Sequence, residues 1–334
     1  MELGIVGAGW RAEMWISLIN KLQGVHITAV LCRNGARGEE LHGRYGVPIV
    51  SDAASLCASG CSAVLVCVSK QNNCAVAREY LARGLRVLCE TPAGMNEGER
   101  SALLHYGADK LQFAEQFPLQ PRFAALKKCL EGGALGTVHT LWLSCCHGYH
   151  AAALARFLLD TGDEVPEVHM LCMQDDYAET QWRGAPREGV HAHDRLVSLL
   201  SFGRKRAFID FSHAQYFSAI RADRVLVQGT HGELLNGSGM RLVQGEAAAL
   251  SMQPIYGGQG CDLGAPDLIS ISLNGEILYR NPFCGLRLSE EEIGMASCLM
   301  RACEAFSGRA AVYPAAEAAL DAAIAQNMSA LSAR

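Results

Sequence analysis

The chain has 334 residues, enough for one large or two medium domains, each with a core of its own. Half the residues are hydrophobic and 19% are charged, as in a soluble globular protein, and no apolar run reaches the ~18 residues of a membrane span. The net charge of −5 argues against nucleic acid as partner, and the fourteen cysteines lack zinc-site spacing, so no metal is expected and free cytoplasmic thiols are.

The opening stretch, MELGIVGAGWRAEMW, predicts a strand over residues 3–6, a glycine turn, and a helix over 13–22. Gly7 permits the tight turn, Gly9 lets the backbone approach phosphates, and Ala12 allows the helix to lie close to the strand. A helix start offers free N–H groups and the positive end of a dipole, so this order suits a dinucleotide pyrophosphate. Gly7, Gly9, Trp10, Arg11 and Ala12 are its candidate contacts. A core strand directly after Met1 leaves no room for a signal peptide, which fits a cytoplasmic protein.

The second strand is predicted over 25–32, with Cys32 and Arg33 at its carboxyl end. An acidic residue there usually binds the ribose 2′-hydroxyl of NAD; a neutral Cys32 followed by Arg33 favours NADP modestly over NAD. In the other reading, Arg33 stacks on adenine or faces solvent. A helix over 36–45, a short strand over 47–50 and a helix over 52–59 capped by Ser51 come next. Residues 62–68 form a continuous apolar run, as in a strand buried on both faces of a parallel sheet. This strand ends in Ser69-Lys70-Gln71-Asn72, at the sheet edge where ligands bind. Further on, a helix over 75–83 and a strand over 86–89 deliver Glu90-Thr91-Pro92 to the same edge. A helix over 97–106 and a strand over 111–114 ending in Glu115-Gln116 complete a doubly wound α/β domain, expected over residues 1–120. Ser69, Glu90, Pro92 and Glu115 thereby join the cofactor candidates; Glu115 orients a carboxamide or substrate hydroxyl, or is an ordinary solvated strand end.

After Pro121 the pattern changes to an α+β domain, expected over 121–334, with a helix over 122–131 and a strand over 137–145. His147-Gly148-Tyr149-His150 leads into a helix over 151–159. Strands over 167–173, 195–202, 206–212, 224–228, 268–273 and 276–279, with turns such as Asn274-Gly275, indicate a largely antiparallel open sheet. Residues 181–194 read as a loop. Helices over 289–306 and 314–332 close the chain, free to pack back on the first domain. His150 is the candidate acid/base because imidazole titrates near neutral pH; its other reading is a helix-capping group. Tyr149 and His147 are candidate substrate contacts. Cys146, His147 and His150 lack a fourth metal ligand, and His191 with His193 invite the same scepticism. Lys70 is a spare ammonium or a solvated loop residue; Tyr216 and Phe217 are substrate contacts or packing.

The GAGWRA turn, the Glu90-Thr91-Pro92 turn and the switch to an antiparallel sheet together resemble the Gfo/Idh/MocA oxidoreductases. The resemblance implies NAD(P) in the N-terminal domain, a sugar, polyol or related substrate against the open sheet, and homo-oligomers formed through that sheet. In the family's Glu-Lys-Pro turn a lysine contacts nicotinamide and substrate; Thr91 stands in its place, and a hydroxyl is no base near neutral pH. A second family signature sets Asp four residues before a histidine and Asp three after it; around His150 these positions hold Cys146 and Ala153. The expectation is an NAD(P)-dependent oxidoreductase for a small sugar-, polyol- or imine-like compound, with His150, Tyr149, Glu90 and Thr91 as catalytic candidates. Loss of the lysine and both carboxylates defines the alternative, a non-catalytic nucleotide-binding sensor or scaffold. A third reading keeps the cofactor bound and uses transient oxidation to drive elimination or hydrolysis.

Overall fold

The structure, a computed structural model, describes residues 1–182, 185–259, 262–309 and 313–332. It divides into two compact units: Met1–Gln120 with Leu288–Ala322, and Pro121–Arg287 with the last helix from Ala323 on. Among the described residues no helix is long and apolar enough to cross a membrane.

The first unit alternates strand and helix: β1 (Glu2–Val6), α1 (Trp10–Ile19), β2 (His26–Leu31), α2 (Gly35–Tyr45), β3 (Ile49–Val50), α3 (Ala53–Ala58), β4 (Ala63–Val66), α4 (Asn73–Ala82), β5 (Arg86–Glu90), α5 (Glu97–Ser101) and β6 (Leu111–Ala114). All strands pair in parallel, in the order β3-β2-β1-β4-β5-β6. Every residue of β4 is buried, as a strand with helices on both faces requires. The order reverses between β1 and β4, so their carboxyl ends flank the crevice where such sheets bind ligands. Three boundaries differ from expectation. Helix α1 begins at Trp10, with Gly9 as its N-cap. The N-cap of α3 is Asp52 rather than Ser51, because the Asp52 carboxylate takes the Ser55 N–H at 2.8 Å. Helix α5 stops at Ser101, beyond which three-residue turns closing at Leu103 and Tyr106 replace the helical ladder.

The second unit opens with α6 (Pro121–Glu131), β7 (Val138–Ser144) and α7 (Gly148–Leu159). Its strands continue as β8 (Glu167–Ala178), β9 (Gln181–Trp182), β10 (Ala185–Pro186), β11 (Val190–Phe202), β12 (Lys205–Ser212), β13 (Arg224–Gly229), β14 (Gly232–Leu235), β15 (Ser238–Val243), β16 (Glu246–Gln259), β17 (Asp262–Leu273) and β18 (Glu276–Arg280). Ten of them form one sheet, β18-β17-β16-β15-β14-β13-β7-β12-β11-β8, antiparallel except where β7 meets β12. Helix α7 covers one face, and alternate residues Leu141, Leu143, Ala207, Ile209 and Phe211 are buried on it. The expected loop over 181–194 is overturned at both ends: Gln181 and Trp182 pair with Pro186 and Ala185, and Val190 to Asp194 pair with Ala178 to Gln174, because β8 extends far enough to satisfy their backbone groups. Arg183 and Gly184 of that stretch lie outside the described residues.

The final helices are α8 (Glu290–Phe306) and α9 (Ala315–Ser332). Ser289 and Glu292 close a capping box that starts α8. Gly294 lets α8 approach β6: a Cβ there would lie 2.8 Å from the Gln116 carbonyl oxygen.

Candidate nucleotide and substrate sites

The glycine turn joins β1 to α1 at the reversal of strand order. Gly7 has φ 123°, and a Cβ on it would lie 2.0 Å from the Cys67 carbonyl oxygen at the end of β4, so only glycine fits. Gly9 has open space where a Cβ would project, the room a phosphate needs. Ala12 is fully buried against the strands, and Trp10 is 52% exposed beside the turn. Arg37, on α2, was not singled out from the sequence. Its Nε donates to the Ala8 carbonyl at 3.0 Å, while its Nη2 binds Glu13. Arg44 and the Tyr45 hydroxyl also bind Glu13, whose carboxyl is held below its ordinary range chiefly by the Arg37 hydrogen bond. A carboxylate in the first turn of α1 is thereby neutralised where a pyrophosphate would meet it. The only signal for Arg37 was its spacing, four residues after Arg33. The turn, the open space at Gly9 and the helix start fit a dinucleotide.

At the end of β2, Arg33 is exposed, whereas Cys32 is buried with its thiol turned to the Asn34 carbonyl. Arg11 and Glu90, both cofactor candidates, are spent on each other. Arg11 Nε donates to Glu90 Oε1 at 2.7 Å, its Nη1 reaches Glu291 at 2.8 Å, and Trp15 Nε1 shares the same Glu90 oxygen at 2.6 Å. Burial alone would lower the Arg11 pKa, but Glu90 and Glu291 outweigh it and raise it. Glu90 therefore anchors α1 to the end of β5. Thr91 and Pro92 are buried beside it across a cis bond, and the Thr91 hydroxyl has no hydrogen-bond partner. Asn73 donates to the Glu90 carbonyl at 2.9 Å and leaves its own Oδ1 without a partner. Two buried side-chain oxygens without a hydrogen-bond partner thus belong to residues that adjoin Glu90. Glu115 is buried, not solvated; its carboxylate takes the Phe117 N–H at 3.1 Å. Ser69 is exposed and accepts from Asn72 Nδ2, and Lys70 is exposed beside it.

In the second unit His147 is the N-cap position of α7, and His150 lies inside the first turn rather than ahead of the helix. The His150 ring lies 4.4 Å from that of Tyr149, and both are half-buried. His147 stacks on Phe211 at 5.0 Å and meets His213 and Tyr216 edge-on. The structure thus gathers His147 with Tyr216, a grouping the sequence did not show. His191 and His193 share one strand face beside Glu179, which holds His193 at 2.9 Å on one oxygen and Arg187 on the other. Phe217 packs on His193 at 5.8 Å. Among the described residues no group of three His, Cys, Asp or Glu side chains is placed to hold a metal.

A family model described as the oxidoreductase family, NAD-binding Rossmann fold, matches residues 1–111. This nucleotide-binding domain belongs to the Gfo/Idh/MocA oxidoreductases. Comparison with curated proteins finds no match. Solved structures share the fold over the rest of the chain. An oxidoreductase from Agrobacterium radiobacter, solved with NAD+, L-tartaric acid and magnesium, is 17% identical with a TM-score of 0.71, covering 100% of this chain and 96% of that one. UDP-N-acetylglucosamine 3-dehydrogenase from Acidithiobacillus ferrooxidans is 12% identical, TM-score 0.68, covering 99% and 97%. Biliverdin reductase from Synechocystis, solved with biliverdin and NADP+, is 12% identical, TM-score 0.67, covering 100% and 99%. Cys146 and Ala153, on either side of His150 in the chain, are both buried.

Proposed function

We propose that the chain is an NADP(H)-preferring oxidoreductase acting on a small polar sugar-, polyol- or imine-like compound. The observation that carries it is Gly7, whose place only glycine can take, together with the open approach at Gly9 and an exposed Arg33 where NAD sites carry an acid. The Gly7–Gly9 turn and the α1 start would hold the pyrophosphate, and Arg33 a 2′-phosphate. Bound there, the nicotinamide supplies or accepts the hydride. His150 is the group proposed to move the accompanying proton, with Tyr149 beside it as a substrate contact. Thr91 brings a hydroxyl rather than an ammonium to the family's lysine position, so it orients by hydrogen bonding and takes no proton. A biliverdin reductase and a UDP-N-acetylglucosamine 3-dehydrogenase share this fold, so the fold does not select the substrate class.

The open face of the ten-stranded sheet supports self-association. Opposite α7, Trp142 stacks on Phe208 at 5.0 Å, with Leu235, Met240 and Leu242 exposed farther along. One observation favours the sensor reading: Thr91, Cys146 and Ala153 leave the family's proton-transfer positions without an ionisable base or acid of the usual kind. Titration with NADH and NADPH, following nicotinamide fluorescence, tests the proposal. Tight NADPH binding that weakens selectively in Arg33→Ala is expected, by about tenfold for one charge-assisted contact. Binding of neither cofactor overturns it, whereas binding without turnover of polyols, ketoses or imines selects the sensor.

A further inference from the structure

Within the second unit, a cleft of about 250 Å³ opens where β7 and β12 end, lined by Tyr177, Arg195, Asp210, Ser212, Arg221 and Arg224 among others. Its volume matches roughly eight water molecules, the room of a small acid rather than a cofactor. The alternation of β7 and β12 puts Ser144, Asp210 and Ser212 on the open face, beyond the apolar pair Trp142 and Phe208. The Gln215 side chain clips the two strand ends together, donating to the Ser144 carbonyl at 2.8 Å and accepting from Ser212 N–H at 3.1 Å.

Charge in this cleft is unevenly satisfied. Arg195 forks onto Asp210, with Nε and Nη2 each at 2.7 Å from a different carboxylate oxygen, so the two cancel. Its Nη1 is 3.7 Å from Asp175, which also accepts from the Tyr177 hydroxyl at 3.0 Å. Arg221 is held by a different device: its guanidinium lies 4.4 Å from the centre of the Tyr177 ring. Stacking fixes the group by its face and leaves the in-plane N–H donors unspent. The neighbouring carboxylate, Asp223, is taken by Arg122 at 3.1 Å. Arg224, next in the chain, carries no ion pair among the described residues. The Ser212 oxygen accepts from Ala214 N–H at 3.3 Å, which leaves its hydroxyl proton to donate. The cleft thus has two guanidinium groups and a hydroxyl facing one small polar space, with its carboxylates either paired or tied to Tyr177.

We propose that this cleft is a binding site for a small oxyanion, a carboxylate or phosphate group, which Arg221 and Arg224 clamp and the Ser212 hydroxyl orients. The site lies wholly in the second unit and does not rest on the nicotinamide reading. Its occupant is a small organic acid or a phosphate ester. Calorimetric titration of the full chain with inorganic phosphate and, separately, with succinate tests it, in the absence of nucleotide and at ionic strength held constant with chloride. Saturable binding of at least one anion is expected, weakened about tenfold in Arg221→Ala or Arg224→Ala and on the order of a hundredfold in the double variant. Arg→Lys at either position keeps the charge but loses the fork, and its affinity should fall between. The tighter of the two anions identifies which group the occupant carries. Phosphate held at the glycine turn instead would survive the double substitution, and that result, or binding of neither anion to the unaltered chain, overturns the proposal. Both arginines are solvent-exposed, and an unchanged melting curve confirms that the variants fold.

Discussion

Single residues here act mainly through what they exclude or neutralise. Gly7→Ala puts a methyl group onto the Cys67 carbonyl at a φ that L-residues avoid, a penalty of at least about 1–2 kcal/mol before the clash is counted. The expected result is a lower melting temperature together with loss of NADPH-induced fluorescence change; a Gly7→Ala variant that binds NADPH as before would remove the turn from the site. Gly7, Gly9 and Ala12 were legible because their requirement is local: a strand, a turn and a helix start within twelve residues. Arg11 and Glu90 were not, since their partnership spans 79 positions and the same residue types serve equally well as phosphate and substrate contacts. The role of Arg37 is hidden in the sequence for a similar reason, its donor reaching back to Ala8, 29 positions away.

Elements form where a cap or a turn makes them form. The Ser289 hydroxyl takes the Glu292 N–H at 3.2 Å, and the Glu292 side chain returns to the Ser289 N–H at 2.9 Å, so α8 starts where Ser-Glu-Glu-Glu announces it. Ser289→Ala should cost about 1 kcal/mol, read from denaturant unfolding. Burial works against the Glu292 charge, but Lys21 at 2.8 Å and the Ser289 donors outweigh it and hold the carboxyl below its usual range. A depressed carboxyl pKa contributes stability above the unfolded value and loses it as pH falls through the folded one. Between pH 6 and pH 3 the unaltered chain should therefore lose more melting temperature than Glu292→Gln; equal losses would remove this ion pair from the account. Strands β14, β15 and β16 are not evident as strands in the sequence, although their turns carry a signal. Asn236-Gly237 and Gln244-Gly245 both take positive φ at two successive residues, the hairpin geometry already recognised at Asn274-Gly275. Their short, mixed apolar and polar runs masked the alternation until partners lined up beside them.

At the scale of the whole molecule, a ten-stranded sheet covered by α7 on one face leaves Trp142, Met240 and Leu242 in water on the other. A second copy of the chain is the proposed cover. Sedimentation analysis at micromolar concentration should show a dimer or larger species, shifted toward monomer by Trp142→Glu with Met240→Glu; a monomeric unaltered chain removes the proposal. The doubly wound order of the first unit was legible because each buried parallel strand is a run of apolar residues closed by a polar turn. The return of Leu288–Ala322 to that unit was not, since it depends on Gly294 meeting Gln116 and on Phe113 pairing with Tyr313.

The sequence alone determined the α/β class and the glycine turn, because both depend on residue type at short spacing. Tertiary structure alone decided which charges are spent and which remain: Arg11 is consumed by Glu90, Arg195 by Asp210, and Arg221 is held by an aromatic ring with its donors left over. Coulomb attraction and burial act through space, and no one-dimensional pattern records which acid a folded chain brings to which base.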